Sequence, residues 1–507
     1  ITTFTLLFRA FYECLKPEFK TARGDYPIAF GECIWEYKKN KGFCFENRHL
    51  ISRVITGKDE KALEQLLSEN CDELEDKYKN SNYYKNYDYF YKKLIDFKEK
   101  KGLSFKKLCD MFLEKNLFVL LVVCDSQESA MTIFNTLNSR GLPLSNADIL
   151  KGYIYKRSEG KEKEKFANDW RDIETKVEES DSVKDLDFLF LQYMHIIRAE
   201  NEDTDSTTQA VITFFTKKDE KKKCFGALQD WLYKPETMPF ISHLADFWIS
   251  PKEYLSDKSS RYISILNLFQ NDTWKFFVSY LVWKNKDCFN DNFDKDKFSK
   301  EFDEYLPKLI KVITLQFINN NASTNVIKDI VFKMNVSLKK KENFPEIQQS
   351  IPEEKIFLGI MKNFDTRKIK YILFLYAYIY SKFKEDINAS DLEVEHILPK
   401  EWQNMDVSDF DEESHKKYVE KIGNKILLDK KSNIKCSNNF FAKKQEIYKK
   451  IYDKGYNLKE VYDLGIKEHS VLKKKEENKR NILEKKDIDN REKEIYKNLN
   501  SFLSSNN

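Results

Sequence analysis

Glycine and proline are scarce: 13 and 10 in a chain of 507 residues. Glycine-rich phosphate loops and turn-dense β sandwiches both need more of them, so the composition favours long helices joined by short connections. At roughly 150 residues per domain, the length allows two to four domains and more than one core. Hydrophobic residues make up 41% and aromatic residues 14%, which excludes a disordered chain. The longest apolar runs, Leu117–Cys124 and Tyr371–Tyr380, fall well short of the ~20 residues that span a bilayer. No membrane partner is expected. The nine cysteines are dispersed, with no C-x-x-C pair, so reduced thiols in a cytoplasm are the expectation rather than a zinc ribbon or disulfide frame. Charge is balanced at +4, from 87 basic and 83 acidic residues. A nucleic-acid partner would therefore need a local basic surface.

The pattern along the chain supports a mainly α (α+β), helical, multidomain architecture. Residues 1–16 carry apolar groups at helical spacing, which predicts a buried helix. Residues 78–91 mix tyrosines with lysines; an amphipathic packing face explains them better than base stacking. Leu117–Cys124 reads as a buried strand and residues 128–139 as a helix with Gly141 as its C-cap. Ser145 to Asp148 reads as the next helix start, with Ser145 as N-cap. The charged stretch 156–185 predicts a solvated helix or linker, residues 186–335 a helical bundle, 335–355 a loop, 356–385 a helix, and 466–507 a charged helical tail.

Chemistry concentrates in Leu392–Lys450. LEVEHILPKEW opens it, with apolar residues alternating with Glu393 and Glu395 until Pro399 ends the strand. Ile422–Leu428 predicts a second strand, and a helix follows through about Tyr448. The order is strand, loop, strand, helix. Phosphodiester hydrolysis needs a base to take a proton from water, and a neutral imidazole does this at cellular pH. It also needs a hard cation such as Mg²⁺, which takes oxygen ligands. Glu395 offers a carboxylate beside His396, and Asn433 offers an amide oxygen near the helix start. Asn424 can hydrogen-bond backbone and hold the histidine-bearing loop. Lys425, Lys430, Lys431, Lys435, Lys443 and Lys444 surround the site and predict a local DNA-binding footprint.

Glu395-His396-Ile397-Leu398-Pro399, Asn424 and Asn433 closely resemble the HNH (His-Me finger) endonucleases, including the spacing of nine between the two asparagines. The resemblance implies His396 as general base with Asn424 as its structural companion, and Mg (or Mn) held by Glu395 and Asn433. The zinc-binding cysteine pairs of some HNH proteins are absent, so packing must hold the unit. In the first half, Phe134, Leu137, Asn138, Gly141, Leu144, Asp148 and Lys151 resemble an element of the GmrSD-type restriction family. IGNKILLDKKSNIKCSNNFFAKKQEIY resembles the Gly-Asn-x-x-Leu…Asn…Ser-Asn pattern of the same family. That family joins a ParB/sulfiredoxin-like nucleotidase domain to a C-terminal HNH domain. The domains implied are a nucleotidase-like part at 1–155, an α/β remnant; a helical linker or bundle at 156–385; a ββα HNH unit at 386–450; and a helical tail at 451–507.

The family's Asp-Gly-Gln-Gln-Arg motif precedes an apolar-Thr-Thr run, and this chain starts Ile1-Thr2-Thr3, as a fragment cut after the arginine would. The chain as given is thus expected not to hydrolyse nucleoside triphosphates, with an NTP as a cofactor of the full-length protein. Asn138, Arg140 and Asp148 are the residues expected to line what remains of a nucleotide pocket, although Ser145 and Asp148 also fit a plain helix cap. By resemblance the function is a Mg-dependent, nucleotide-gated endonuclease that cuts modified phage DNA. The alternative is a non-catalytic DNA-binding or NTP-sensing regulator on an HNH scaffold. Nothing in the sequence specifies an oligomeric state.

Overall fold

The computed structural model describes residues 2–16, 26–50, 58–71, 75–110, 123, 133, 145–207, 209–269, 271–320, 324–344, 350–381, 392–401, 409–453 and 483–505. They are mainly helical, with two separate two-stranded antiparallel sheets. The chain divides into two units, Ile1–Gly141 and Leu142–Asn507. Among the described residues, no helix is long and apolar enough to cross a membrane.

The first unit comprises α1 (Thr2–Leu15), α2 (Tyr26–Glu32), the hairpin β1 (Trp35–Lys38) and β2 (Gly42–Arg48), α3 (Lys58–Leu66), α4 (Asn82–Lys101) and α5 (Phe105–Asp110). The expected α/β remnant appears here as a hairpin among helices. Arg9, fully buried on α1, donates to the Leu66 and Ser68 carbonyls at 2.8 and 2.9 Å and pairs with Glu13 at 2.8 Å. A charge so placed is tolerated because each partner answers it. Ser81 caps α4 and Gly102, at φ 58°, ends it. Tyr87 is buried, and Tyr83, Tyr84, Phe90 and Tyr91 pack against the same core. Packing therefore accounts for these rings, while Tyr89 of the same cluster is exposed. The strand expected at 117–124 and the helix expected at 128–139 lie, apart from Val123 and Ile133, outside the described residues.

The second unit opens with α6 (Asn146–Arg157) and α7 (Gly160–Glu178). α6 buries Ala147, Leu150 and Ile154 in the large helical core, so it packs with the second unit. α7 resolves the charged stretch: Phe166, Trp170, Ile173 and Val177 form one buried stripe at helical spacing, the pattern of an amphipathic helix rather than a linker. The longer helices of the bundle are α8 (Leu186–Glu200), α9 (Thr237–Ile249), α10 (Asp257–Leu266), α11 (Trp274–Lys284), α12 (Lys295–Asn320), α13 (Thr324–Lys340), α14 (Glu354–Asn363) and α15 (Thr366–Ser381). α8 and α11 are apolar almost all round and are buried centrally. α13 carries helix six residues, 335–340, into the stretch expected as loop.

The remaining elements are β3 (Leu392–His396), α16 (Glu412–Tyr418), β4 (Lys425–Asp429), α17 (Lys430–Cys436), α18 (Phe441–Asp453) and α19 (Lys485–Ser504). The hairpin is not freestanding. Leu392, Ile422 and Leu427 belong to the same core as Ile495, Leu499 and Leu503 of α19. The charged tail thus buries an apolar stripe and closes the bundle.

Candidate active site

β3 and β4 are antiparallel, with Leu392 opposite Asp429 and His396 opposite Lys425. The second strand starts later than the sequence suggested, because Ile422–Asn424 form a 3-10 turn. α19 fixes that turn. Arg491, 3% exposed, donates to the Ile422, Gly423 and Lys425 carbonyls. A Cβ on Gly423 would stand 2.2 Å from the Ile488 carbonyl, so only glycine allows the helix to approach this closely. Lys421 adds ion pairs to Asp489 at 2.5 Å and Glu492 at 3.2 Å.

Asn424 is fully buried in this turn. Its Oδ1 accepts from Leu398 N–H at 2.6 Å, and its Nδ2 donates to the Val419 carbonyl at 2.9 Å and the Leu398 carbonyl at 3.2 Å. Its own carbonyl accepts from Ile397 N–H at 2.9 Å. One side chain thereby ties together both ends of the loop that leaves His396. Truncating it strands buried polar groups, so Asn424→Ala is expected to cost about 1–3 kcal/mol of stability and to lower cleavage with it. Urea midpoints measured beside cleavage rates check this; slower cutting at an unchanged midpoint would remove the bracing role.

Side-chain alternation decides which groups meet. Glu393 and Glu395 share a face with Ile426 and Leu428, which pack against Cys436 and Phe441. The Asp429 side chain accepts from Ser432 N–H at 3.0 Å and starts α17. From that helix Asn433 donates to Glu393 Oε2 at 3.0 Å. Lys444 of α18 is 1% exposed; its Nζ bonds Glu395 Oε1 at 2.7 Å and also donates to the His396 carbonyl. His396 ends the strand on the opposite face, 3.6 Å from Glu420 Oε1. Burial pushes its pKa down to about 4, so the ring is neutral at cellular pH, and its Nε2 has no hydrogen-bond partner among the described residues.

These contacts revise several expectations. The motif predicts one cleft for Glu395, His396 and Asn433, but the pleat turns the imidazole away from the acidic face. Asn433 meets Glu393 rather than Glu395, which adds Glu393 to the candidate residues; its only signal in the sequence was its two-residue spacing from Glu395. Of the six lysines, Lys425 and Lys444 are buried, at 4% and 1% exposure, and paired with Glu420 and Glu395. Neither is part of the exposed surface of the described residues. Lys430, Lys431, Lys435 and Lys443 are exposed. Asp148 takes a capping role: Ser145 Oγ accepts from its N–H at 3.0 Å and donates to its carboxylate at 2.8 Å. Asn138 and Arg140 lie outside the described residues. Among the described residues, no group of three or more His, Cys, Asp or Glu side chains is arranged to hold a metal.

The chain matches the N-terminal domain of the GmrSD restriction endonucleases over residues 1–155 and their C-terminal domain over residues 352–498. The two regions together cover more than half of it. The chain belongs to the GmrSD restriction endonuclease family. Membership makes DNA the substrate and cleavage in restriction the activity. The C-terminal match contains the whole hairpin, α17, α18 and Arg491, whereas the bundle helices from α7 to α13 fall in neither matched region. No curated protein and no solved structure matches the chain.

Proposed function

We propose that residues 392–436 are the cutting centre of this GmrSD-family endonuclease, an HNH-type site that hydrolyses DNA phosphodiesters with Mg²⁺. The observation that carries the reading is the order Glu-His at a strand end, a paired second strand, and a helix whose Asn433 reaches back to the acidic face, all inside the matched C-terminal domain. The donors on that face, Glu393, Glu395 and Asn433, are all oxygen donors, which suits a hard cation. When bound, Mg²⁺ would neutralise charge on the phosphate and the leaving oxygen. The chain's own residues do the rest. His396, held neutral by burial and with no hydrogen-bond partner for its Nε2 among the described residues, is in the form that accepts a proton from water. Asn424 fixes the backbone on which it stands.

A regulator without catalysis is favoured by two observations: Lys444 already neutralises Glu395, and His396 points away from it. Incubating plasmid and phage DNA, modified and plain, with Mg²⁺ or with EDTA separates the two readings. Mg²⁺-dependent nicks or breaks are expected, and intact DNA in every condition would sink the nuclease assignment. Lys430, Lys431, Lys435 and Lys443 supply the local positive surface. DNA affinity should fall with salt at a log–log slope of roughly −0.9 per phosphate contact; an affinity indifferent to salt would remove these lysines from the interface.

A further inference from the structure

α17 has two distinct sides. At roughly 100° per residue, Ser432 and Cys436 point inwards, and both are buried. Going round the rest of the helix, Asn433 comes first at the border, then Lys430, Ile434, Lys431 and Lys435. The three lysines are exposed and engage no carboxylate of the described residues. Ile434, between Lys430 and Lys431, is 65% exposed. A single exposed apolar side chain is ordinary on a protein surface. This one sits inside a lysine arc, beside the asparagine of the proposed site. Lysines that only faced solvent or a phosphate backbone would gain nothing from an isoleucine between them. A groove bounded by phosphates does have an apolar interior of sugars and base edges.

We propose that Ile434 is an apolar wedge that enters the minor groove of duplex DNA, while Lys430, Lys431 and Lys435 contact the flanking phosphates. The inference rests on residues 392–436 being the cutting centre. Apolar wedges of this kind part base steps and kink the duplex. Parting a step beside the scissile phosphate would turn that phosphate out of the backbone line towards the strand end. The occupant is duplex DNA because Lys430, Lys431 and Lys435, the charged residues on the exposed arc that holds Ile434, are all positive and the family acts on DNA.

The test uses the full chain, a 30-base-pair duplex carrying 2-aminopurine at alternate steps, and EDTA to prevent cutting. Anisotropy reads affinity as salt is varied, and 2-aminopurine fluorescence reads unstacking. Ile434→Gln should lose roughly tenfold in affinity and lose the fluorescence rise, with the salt slope unchanged. Lys435→Ala should do the reverse: the slope should fall by about one and unstacking should persist. Ile356→Gln, a change at an isoleucine that is 57% exposed on α14, should alter nothing. Wild-type affinity and fluorescence for Ile434→Gln would overturn the wedge and leave the nuclease reading intact. A shift in melting temperature or oligomeric state of Ile434→Gln without DNA would also overturn it, since the isoleucine would then be covered by this chain or by a second copy. Salt-dependent binding absent from the wild type would remove the cutting centre itself, and the wedge with it.

Discussion

His396→Ala is expected to slow DNA cleavage about 10²–10⁴-fold, the usual contribution of a general base, while DNA binding stays close to that of the wild type. Stability should change little, for a reason particular to this ring. His396 is 8% exposed, so removing its ring forfeits packing, but it also removes a buried nitrogen that has no hydrogen-bond partner among the described residues. The two effects oppose each other. The ring is held neutral by desolvation, with Lys400, Lys425 and Lys444 adding to the effect and Glu420 opposing it. The base is therefore available in its neutral form even with the Glu420 carboxylate 3.6 Å away. Water attack with loss of the 3′ oxygen leaves 5′-phosphate and 3′-hydroxyl ends, which ligation of the products without prior phosphatase or kinase treatment would verify. Cleavage by His396→Ala at the wild-type rate would show that another group takes the proton, whatever the hairpin looks like.

Local signals in the sequence located the elements of the site but not the contacts between them. The Ser145 cap, the α1 helix and the β3 strand follow from capping chemistry and from residue spacing, which act over three or four neighbours. The Asn424 brace was legible for a similar reason: a buried asparagine after a glycine has few uses other than bonding backbone. What escaped was set by residues far away in the chain. Lys425 and Lys444 look like surface lysines, and only the fold reveals that they are buried and paired with Glu420 and Glu395. Arg491 lies in a segment whose charge suggests a solvated tail, yet its guanidinium holds the turn 66 to 69 residues earlier. The alternation of β3 was visible in the sequence, and it already implies that neighbours Glu395 and His396 point to opposite faces. The motif's adjacency concealed that consequence, because adjacency in a motif describes the chain and not the pleat.

Lys444→Met should destabilise the protein by about 3–5 kcal/mol, the range for leaving one member of a buried ion pair alone. Glu395 is 4% exposed, and water cannot easily replace the ammonium that now sits 2.7 Å from its Oε1. The His396 carbonyl would lose a donor in the same step, at the residue whose position matters most for the proposed chemistry. Methionine matches the lysine stem closely, so the loss reports charge and hydrogen bonding rather than volume. Glu395→Gln combined with Lys444→Met removes both charges, and the double variant should lose less than the sum of the two single losses, with a coupling of about 0.5–3 kcal/mol. The same variants decide between two roles for this lysine. A buried tether leaves the salt dependence of DNA binding unchanged when it is removed, whereas a phosphate contact takes about one from the slope. Urea midpoints for the four proteins of the cycle, with salt titrations of wild type and Lys444→Met, make the measurement. A lower slope with an unchanged midpoint would return Lys444 to the DNA surface and free Glu395 of its ion pair. A lower midpoint with an unchanged slope would establish it as the group that holds the acidic residue beside His396 in place.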